Sequence, residues 1–310
     1  MNTMIAKLSA GGPGLWVGVA RRLRPMLGLM AILGLCYGAQ AGEVAHGHGL
    51  LWKVERPGYW PSYVFGTMHS DDRRVLRLPL PVKAHFDKAE ELVVEANFNP
   101  EELGRRGPMK KLVFSDGRRL SRLLDPMLYY RTIEAMRQSG YPRPLVERMK
   151  PWAISTVLTL PRPTTGRFLD MYLIAEARRQ GKPVHGLETV EEQLQTLESL
   201  SLAAQKAMLA EALNRLPRRG RLQEDLTRAY LDRDLERLLR IGYESLDPRG
   251  MTEGFADRLI NERNVRMIDR LQPLLRRGKV FIAVGALHLP GDSGILALLE
   301  GRGYRVTPLY

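Results

Sequence analysis

The sequence predicts an α+β fold: a central mixed β-sheet flanked by helices, with a helical insertion in the middle of the chain. Three observations lead there. Short apolar runs rich in β-branched and aromatic residues sit near both ends, as in Tyr63-Val64-Phe65 and Val280-Phe281-Ile282-Ala283-Val284. Between them apolar residues recur at helical spacing, punctuated by proline pairs at Pro142/Pro144 and Pro161/Pro163. Each of the two apolar runs also leads into the same kind of tetrapeptide, Gly66-Thr67-Met68-His69 and Gly285-Ala286-Leu287-His288, 219 positions apart.

The elements follow in order. Residues 1–41 read as a signal peptide: Arg21, Arg22 and Arg24 precede the apolar run Met26 to Gly38, and Ala39-Gln40-Ala41 is a small-x-small cleavage site. That run is short for a bilayer span, an uncleaved anchor being the alternative. One domain is expected over 42–310. Leu50 to Val54 and Ser62 to Phe65, joined through Pro57-Gly58, predict a hairpin. Pro81 to Ala89 predicts a short helix and Glu91 to Glu95 a strand. The helical insertion covers about 100–180 and 201–275. Within it Phe168, Leu169, Tyr172, Leu173 and Ala175 share one helical face. Lys182 to Leu187 predicts a strand, and Thr189 with Glu192 forms a capping box that opens the next helix. The arginine-rich stretch Arg215 to Arg221 reads as a loop. A long helix is expected from about Thr252 to Leu275, then a buried strand Val280 to Val284, a helix Asp292 to Leu299 and a last strand Tyr304 to Leu309.

The chain carries 47 Lys and Arg against 34 Asp and Glu, a net charge of +13; loss of the leader removes four basic residues and leaves +9. Basic pairs such as Arg105-Arg106 and Lys110-Lys111 are scattered, with no aromatic residues interleaved for base stacking, which argues against nucleic acid. Weak association with an anionic membrane or glycan surface fits such a charge better. The single cysteine, Cys36, lies in the leader, so the mature chain has neither disulfide nor thiolate chemistry. Its length suffices to bury a sizeable core. Nothing in the sequence fixes the oligomeric state.

Four candidates share one address. His69, Glu95, Glu188 and His288 all sit at or just past the carboxyl end of an expected strand, where sheets of this kind place their sites. Histidine there is a ready metal ligand or proton-transfer group. The plainer readings are a loop histidine bonded to a carbonyl for His69 and a helix-entry residue for His288. Glu95 is either buried and paired or at a solvated strand end. Glu188 also suits the amino end of the helix beyond Thr189. Asn264 falls in the apolar stripe of Ile260, Met267, Leu271 and Leu274, where a polar group needs a partner. Arg263 beside it suits a carboxylate, a developing oxyanion or a surface ion pair. The other histidines rank lower: His46 and His48 in a flexible mature N-terminus, His85 in a surface helix, and His185 packed inside a strand. P-loop, dinucleotide, Gly-x-Ser-x-Gly and His-Glu-x-x-His motifs are all missing.

Taken together, Gly66-Thr67-Met68-His69, Glu95, Gly186-Leu187-Glu188-Thr189, Glu262-Arg263-Asn264 and Gly285-Ala286-Leu287-His288, with Gly291, Gly294 and Gly303-Tyr304-Arg305-Val306, resemble the TraB/GumN family, which includes Tiki-type metalloproteases. The resemblance covers about 50–310. It implies an α+β fold with both histidines at one cleft and, for some relatives, peptide hydrolysis dependent on a divalent metal ion, Mn²⁺ or Co²⁺ rather than Zn²⁺. Other relatives bind haem, cleave a macrolide ester or sequester a peptide pheromone. The resulting expectation is an exported, periplasmic or cell-envelope hydrolase acting on a peptide or small molecule. In it His69, His288 and Glu188 hold the metal, Glu95 serves as general base or ligand, Arg263 steadies an oxyanion and Asn264 orients a ligand. Sequence does not divide the roles of the two glutamates. The rival expectation is a non-catalytic haem- or peptide-binding envelope protein; a third is an envelope-assembly protein with a vestigial cleft.

Overall fold

The computed structural model describes residues 44–97, 108–159, 168–246 and 260–310. The expected leader, and the expected start of the long helix at Thr252, lie outside the described residues. Six strands form one sheet: β1 (Leu51–Glu55), β2 (Ser62–Thr67), β3 (Glu91–Ala96), β4 (Val184–Glu188), β5 (Val280–Gly285) and β6 (Arg305–Pro308). Their order is β4-β3-β5-β2-β1-β6. β4, β3, β5 and β2 pair in parallel. β1 runs antiparallel to both β2 and β6. The sheet is therefore mixed, and the fold is α+β.

Position in the sheet explains sequence. β5 lies at the centre with every residue buried, which is why it reads as an unbroken apolar run. β1, nearer the edge, alternates buried and half-buried residues toward its end. Phe281 of β5 meets Phe65 of β2 at 5.9 Å between ring centroids, and Phe86 of helix Leu80–Lys88 edge-on at 5.3 Å. Those rings tie strand to strand and sheet to helix. Between β3 and β4 lie helices that include Pro126–Gln138, Pro151–Thr159 and Leu169–Arg179. Between β4 and β5 lie Val190–Glu198, Leu202–Arg215, Arg219–Leu231, Leu235–Leu246 and Glu262–Arg277. The capping box forms as expected, with Thr189 and Glu192 satisfying each other's backbone N–H groups.

Some local expectations change. Arg215 to Arg221 is not a loop: a 3₁₀ turn, Leu216–Arg218, runs directly into helix Arg219–Leu231, with Pro217 in the first turn, where no N–H is required. A 3₁₀ turn, Ala286–His288, follows β5, and the next helix starts at Ile295 rather than Asp292. The segment around His46 and His48, expected to be flexible, is tied down instead of loose. His46 Nε2 lies 3.0 Å from Glu300 Oε2, with its ring edge-on to Trp52, and His48 makes a β-bridge to Asp234. His185 is not packed inside; it is 39% exposed and lies 2.8 Å from Glu91. No helix among the described residues is long and apolar enough to cross a membrane.

Candidate active site

The parallel pairing of β4, β3, β5 and β2 sets their carboxyl ends along one edge. Glu95 is the penultimate residue of β3 and Glu188 the last of β4; His69 and His288 follow β2 and β5. All four are buried. The two Gly-x-x-His segments lie side by side, offset by one position: Gly66 pairs with Val284 and Thr67 with Gly285. Gly66 is required by close approach. A Cβ there would stand 2.9 Å from Leu289 Cδ1 and 3.2 Å from Ala286 Cα, so the first motif's glycine makes room for the second motif's turn.

An arginine joins the two glutamates. Arg263, on helix Glu262–Arg277, has no exposed surface, and it donates from Nε to Glu188 Oε2 at 2.8 Å and from Nη2 to Glu95 Oε2 at 2.8 Å. Arg266, one turn later, donates to Glu188 Oε1 at 3.1 Å. The Gly285 N–H donates to Glu95 Oε1 at 2.6 Å. Gln193 Nε2 lies 3.4 Å from Glu95 and 3.5 Å from Glu188. Burial alone would raise the Glu95 pKa, but His288, Arg263, His69 and the Gly285 N–H overcome it and hold the carboxyl to about 2. Burial brings His288 down to about 4 despite Glu95, so its imidazole is neutral at neutral pH. Arg263 is then the standing charge that keeps Glu95 ionised.

The histidines are each gripped from behind. Asn264 Nδ2 donates to the carbonyl of Ser293 at 2.8 Å and also approaches that of His288 at 3.4 Å. Its Oδ1 must therefore accept, and its partner at 2.6 Å is His288 Nδ1. That network assigns the proton to Nδ1 and the lone pair to Nε2. His288 Nε2 is buried without a hydrogen-bond partner, 3.7 Å from Glu95 Oε1. His69 Nδ1 lies 2.8 Å from Asp170 Oδ2, while Thr67 Oγ1 donates to Asp170 Oδ1 at 2.6 Å. The His69 ring stacks on Phe168 with 6.0 Å between centroids. Burial opposes the charged form of His69, but Asp170 and Glu95 outweigh it and raise its pKa.

Among the described residues no three His, Cys, Asp or Glu side chains form a closed metal-binding group. The donor chemistry nevertheless fits a divalent cation. The His288 Nε2, without a hydrogen-bond partner, faces an ionised carboxylate, and the other His288 nitrogen is fixed by Asn264, as in metal-ligating histidines, while His69 Nδ1 lies 2.8 Å from Asp170 Oδ2. Both carboxylates are fully engaged, Glu188 by Arg263 and Arg266 and Glu95 by Arg263 and the Gly285 N–H, and it is Glu95 Oε1 that lies 3.7 Å from His288 Nε2.

This edge, with two Gly-x-x-His turns around a Glu–Arg–Glu cluster, accompanies a match to the model of the TraB/PrgY/gumN family across residues 50–308. The chain belongs to this family. Among relatives of this TraB/PrgY/gumN protein, Metalloprotease TIKI2 of Danio rerio is 28% identical, over 84% of this chain and 60% of the relative. Metalloprotease TIKI homolog of Nematostella vectensis is 26% identical, over 84% of this chain and 66% of the relative. Uncharacterized protein YbaP of Shigella flexneri is 24% identical, over 80% of this chain and 90% of the relative. The chain thus spans about 60% of the length of the first of these.

The structure gathers His69, Glu95, Glu188, Arg263, Asn264 and His288 into this one region. Sequence reasoning missed Asp170 and Arg266. Asp170 opens helix Leu169–Arg179, where an acidic residue is expected simply to complement the dipole. Arg266 carried a readable signal, since it stands three positions after Arg263 and so on a neighbouring face of the helix. It is 40% exposed and lines a crevice of about 360 Å³ with Lys111, Glu192, Gln195 and Glu262.

Proposed function

We propose that this chain is an exported, metal-dependent hydrolase that acts on peptides. The observation that carries the reading is His288 Nε2, buried without a hydrogen-bond partner 3.7 Å from ionised Glu95, in the turn that follows the strand beside the one that leads to His69. Two relatives named metalloproteases support the reaction class. His69, His288 and Glu95 would hold the cation. When bound, a divalent ion polarises a carbonyl and lowers the pKa of water.

The chain's own groups prepare that chemistry. Glu95, held to about 2, suits a permanently ionised ligand better than a proton acceptor at neutral pH. Arg263, wholly buried, keeps Glu95 charged and leaves contact with substrate to Arg266, whose side chain reaches the crevice. Arg266 is suited to grip a peptide carboxylate or steady an oxyanion. Asn264 fixes the tautomer of His288. Haem capture would call for a broad apolar cavity, whereas this edge is crowded with charged groups.

The test is metal content and calorimetry on purified protein beside a His69→Ala, His288→Ala double variant. Tight Mn²⁺ or Co²⁺ binding by the wild type, weakened at least about 100-fold in the variant, is expected. A peptide-library screen then reads turnover. Equal binding by both proteins, or none by either, overturns the metal reading.

A further inference from the structure

We infer that Asp170 is the positioning residue of His69: with Thr67 it holds the imidazole so that Nδ1 carries the proton and Nε2 keeps the lone pair. That this lone pair serves a divalent cation rests on the function proposed above; the positioning itself does not.

The inference begins with how differently the buried carboxylates are partnered. Glu95 and Glu188 each receive a guanidinium. Asp170 is as deeply placed, its side chain 9% exposed, yet its contacts are a hydroxyl and an imidazole. A buried carboxylate is costly to keep, and a hydroxyl partner offsets little of that cost. The Thr67 hydroxyl donates to Oδ1, and Oδ2 lies 2.8 Å from His69 Nδ1, a close contact short of hydrogen-bond alignment in which neither atom has another partner. With that oxygen as its only near neighbour, Nδ1 is the ring nitrogen placed to carry the proton, and in the neutral ring Nε2 is then left bare.

Local sequence makes the arrangement rigid. Thr67 ends β2 and His69 follows two residues later, so one short segment presents both partners to the same aspartate. Phe168 precedes the helix that carries Asp170 and stacks on the His69 ring with an interplanar angle of 19°. The ring is thus held at its edge by Asp170 and across its face by Phe168. His288 is held in the matching way by Asn264, but there the outer partner is a neutral amide. The two matched motifs therefore present the same ring nitrogen with different donor strength, since a carboxylate behind an imidazole makes it the more basic ligand.

The experiment is long-range ¹H–¹⁵N correlation of histidine side chains in metal-free full-length protein, at a pH where the rings are neutral, with His69 assigned through His69→Gln. Wild type is expected to show Nδ1–H on both His69 and His288. Asp170→Ala is expected to move His69 to the Nε2–H form that free imidazole prefers and to leave His288 unchanged. A wild-type spectrum with Nε2–H on His69 overturns the inference, even if Asp170→Ala does not fold. So does Nδ1–H on His69 that persists in a folded Asp170→Ala protein. Mn²⁺ titration of the same samples should show affinity about 10- to 100-fold weaker in the variant. The expected tautomers with no Mn²⁺ bound by wild type would uphold the role of Asp170 and overturn the metal reading alone.

Discussion

The two edges of the parallel strands carry the same residue types in opposite circumstances. At the carboxyl edge Glu95, Glu188, Arg263 and His288 are buried together. At the amino edge Glu91 meets Arg277 at 2.9 Å and His185 at 2.8 Å, and Glu90 meets Lys279 at 2.7 Å, with every partner partly exposed. β3 joins the two sets, since Glu91 opens the strand and Glu95 nearly closes it. Solvent screens the amino-edge set, which loses little hydration; the carboxyl-edge set must be satisfied internally or not exist. A glutamate at a strand end is thus an ornament of one edge and an obligation of the other.

The largest expected effect separates the edges directly. Arg263→Leu leaves buried Glu95 without its guanidinium and Glu188 with only the part-exposed Arg266, and should cost about 3–5 kcal/mol in urea denaturation. Adding Glu95→Gln and Glu188→Gln to Arg263→Leu should recover much of that loss. Equal destabilisation by Arg263→Leu and Arg277→Leu would erase the distinction.

Acid should act on the buried edge next. Glu95 is held to about 2 against an ordinary 4.5, so its stabilisation is complete above 4.5 and fades as pH falls toward 2, roughly 3 kcal/mol in all. His288 is held to about 4 against 6.5, so protonation of the unfolded chain already erodes stability as pH falls from 6.5 toward 4. His69 works in the other direction: its pKa is raised, so its contribution is present below 6.5 and lost as pH rises through its folded value. Stability against pH for Glu95→Gln should be flatter than wild type between 4.5 and 2; an unchanged slope removes Glu95 from the account.

Smaller effects sharpen the contrast. Asn264→Ala strips the buried His288 Nδ1 of its acceptor and should cost about 1–3 kcal/mol by the same assay. Arg277→Ala, which breaks only an exposed pair, should cost no more than about 1 kcal/mol, and less in high salt.

Much of this was legible beforehand because burial writes itself into composition. Central strands read as apolar runs, the capping box announced its helix, and the Gly-x-x-His turns flagged one edge. What stayed hidden depended on tertiary contact. Asp170 looks like any acid in a first turn until Thr67 and His69 are brought to it. Arg215 to Arg221 has loop-like charge, yet a proline in the first turn suits a helix start. His185 alternates correctly for a packed residue, but β4 is the last strand of its side of the sheet, so nothing covers it fully. That Glu188 meets two arginines and Glu95 one is likewise a tertiary fact, and neighbouring sequence does not encode it.

The sheet order also sets a schedule for assembly. β2 and β3 are consecutive in the chain but not adjacent in the sheet, because β5 occupies the slot between them. A nascent chain that has emerged only as far as Arg277 holds His69, Glu95, Glu188 and Arg263 but lacks Gly285, His288 and the strand that spaces them. Its β2 and β3 edges stand unpaired, open to the wrong partner as readily as to the right one. Competence at this edge therefore arrives late and all at once, with the closing of a long-range contact of the kind that slows folding.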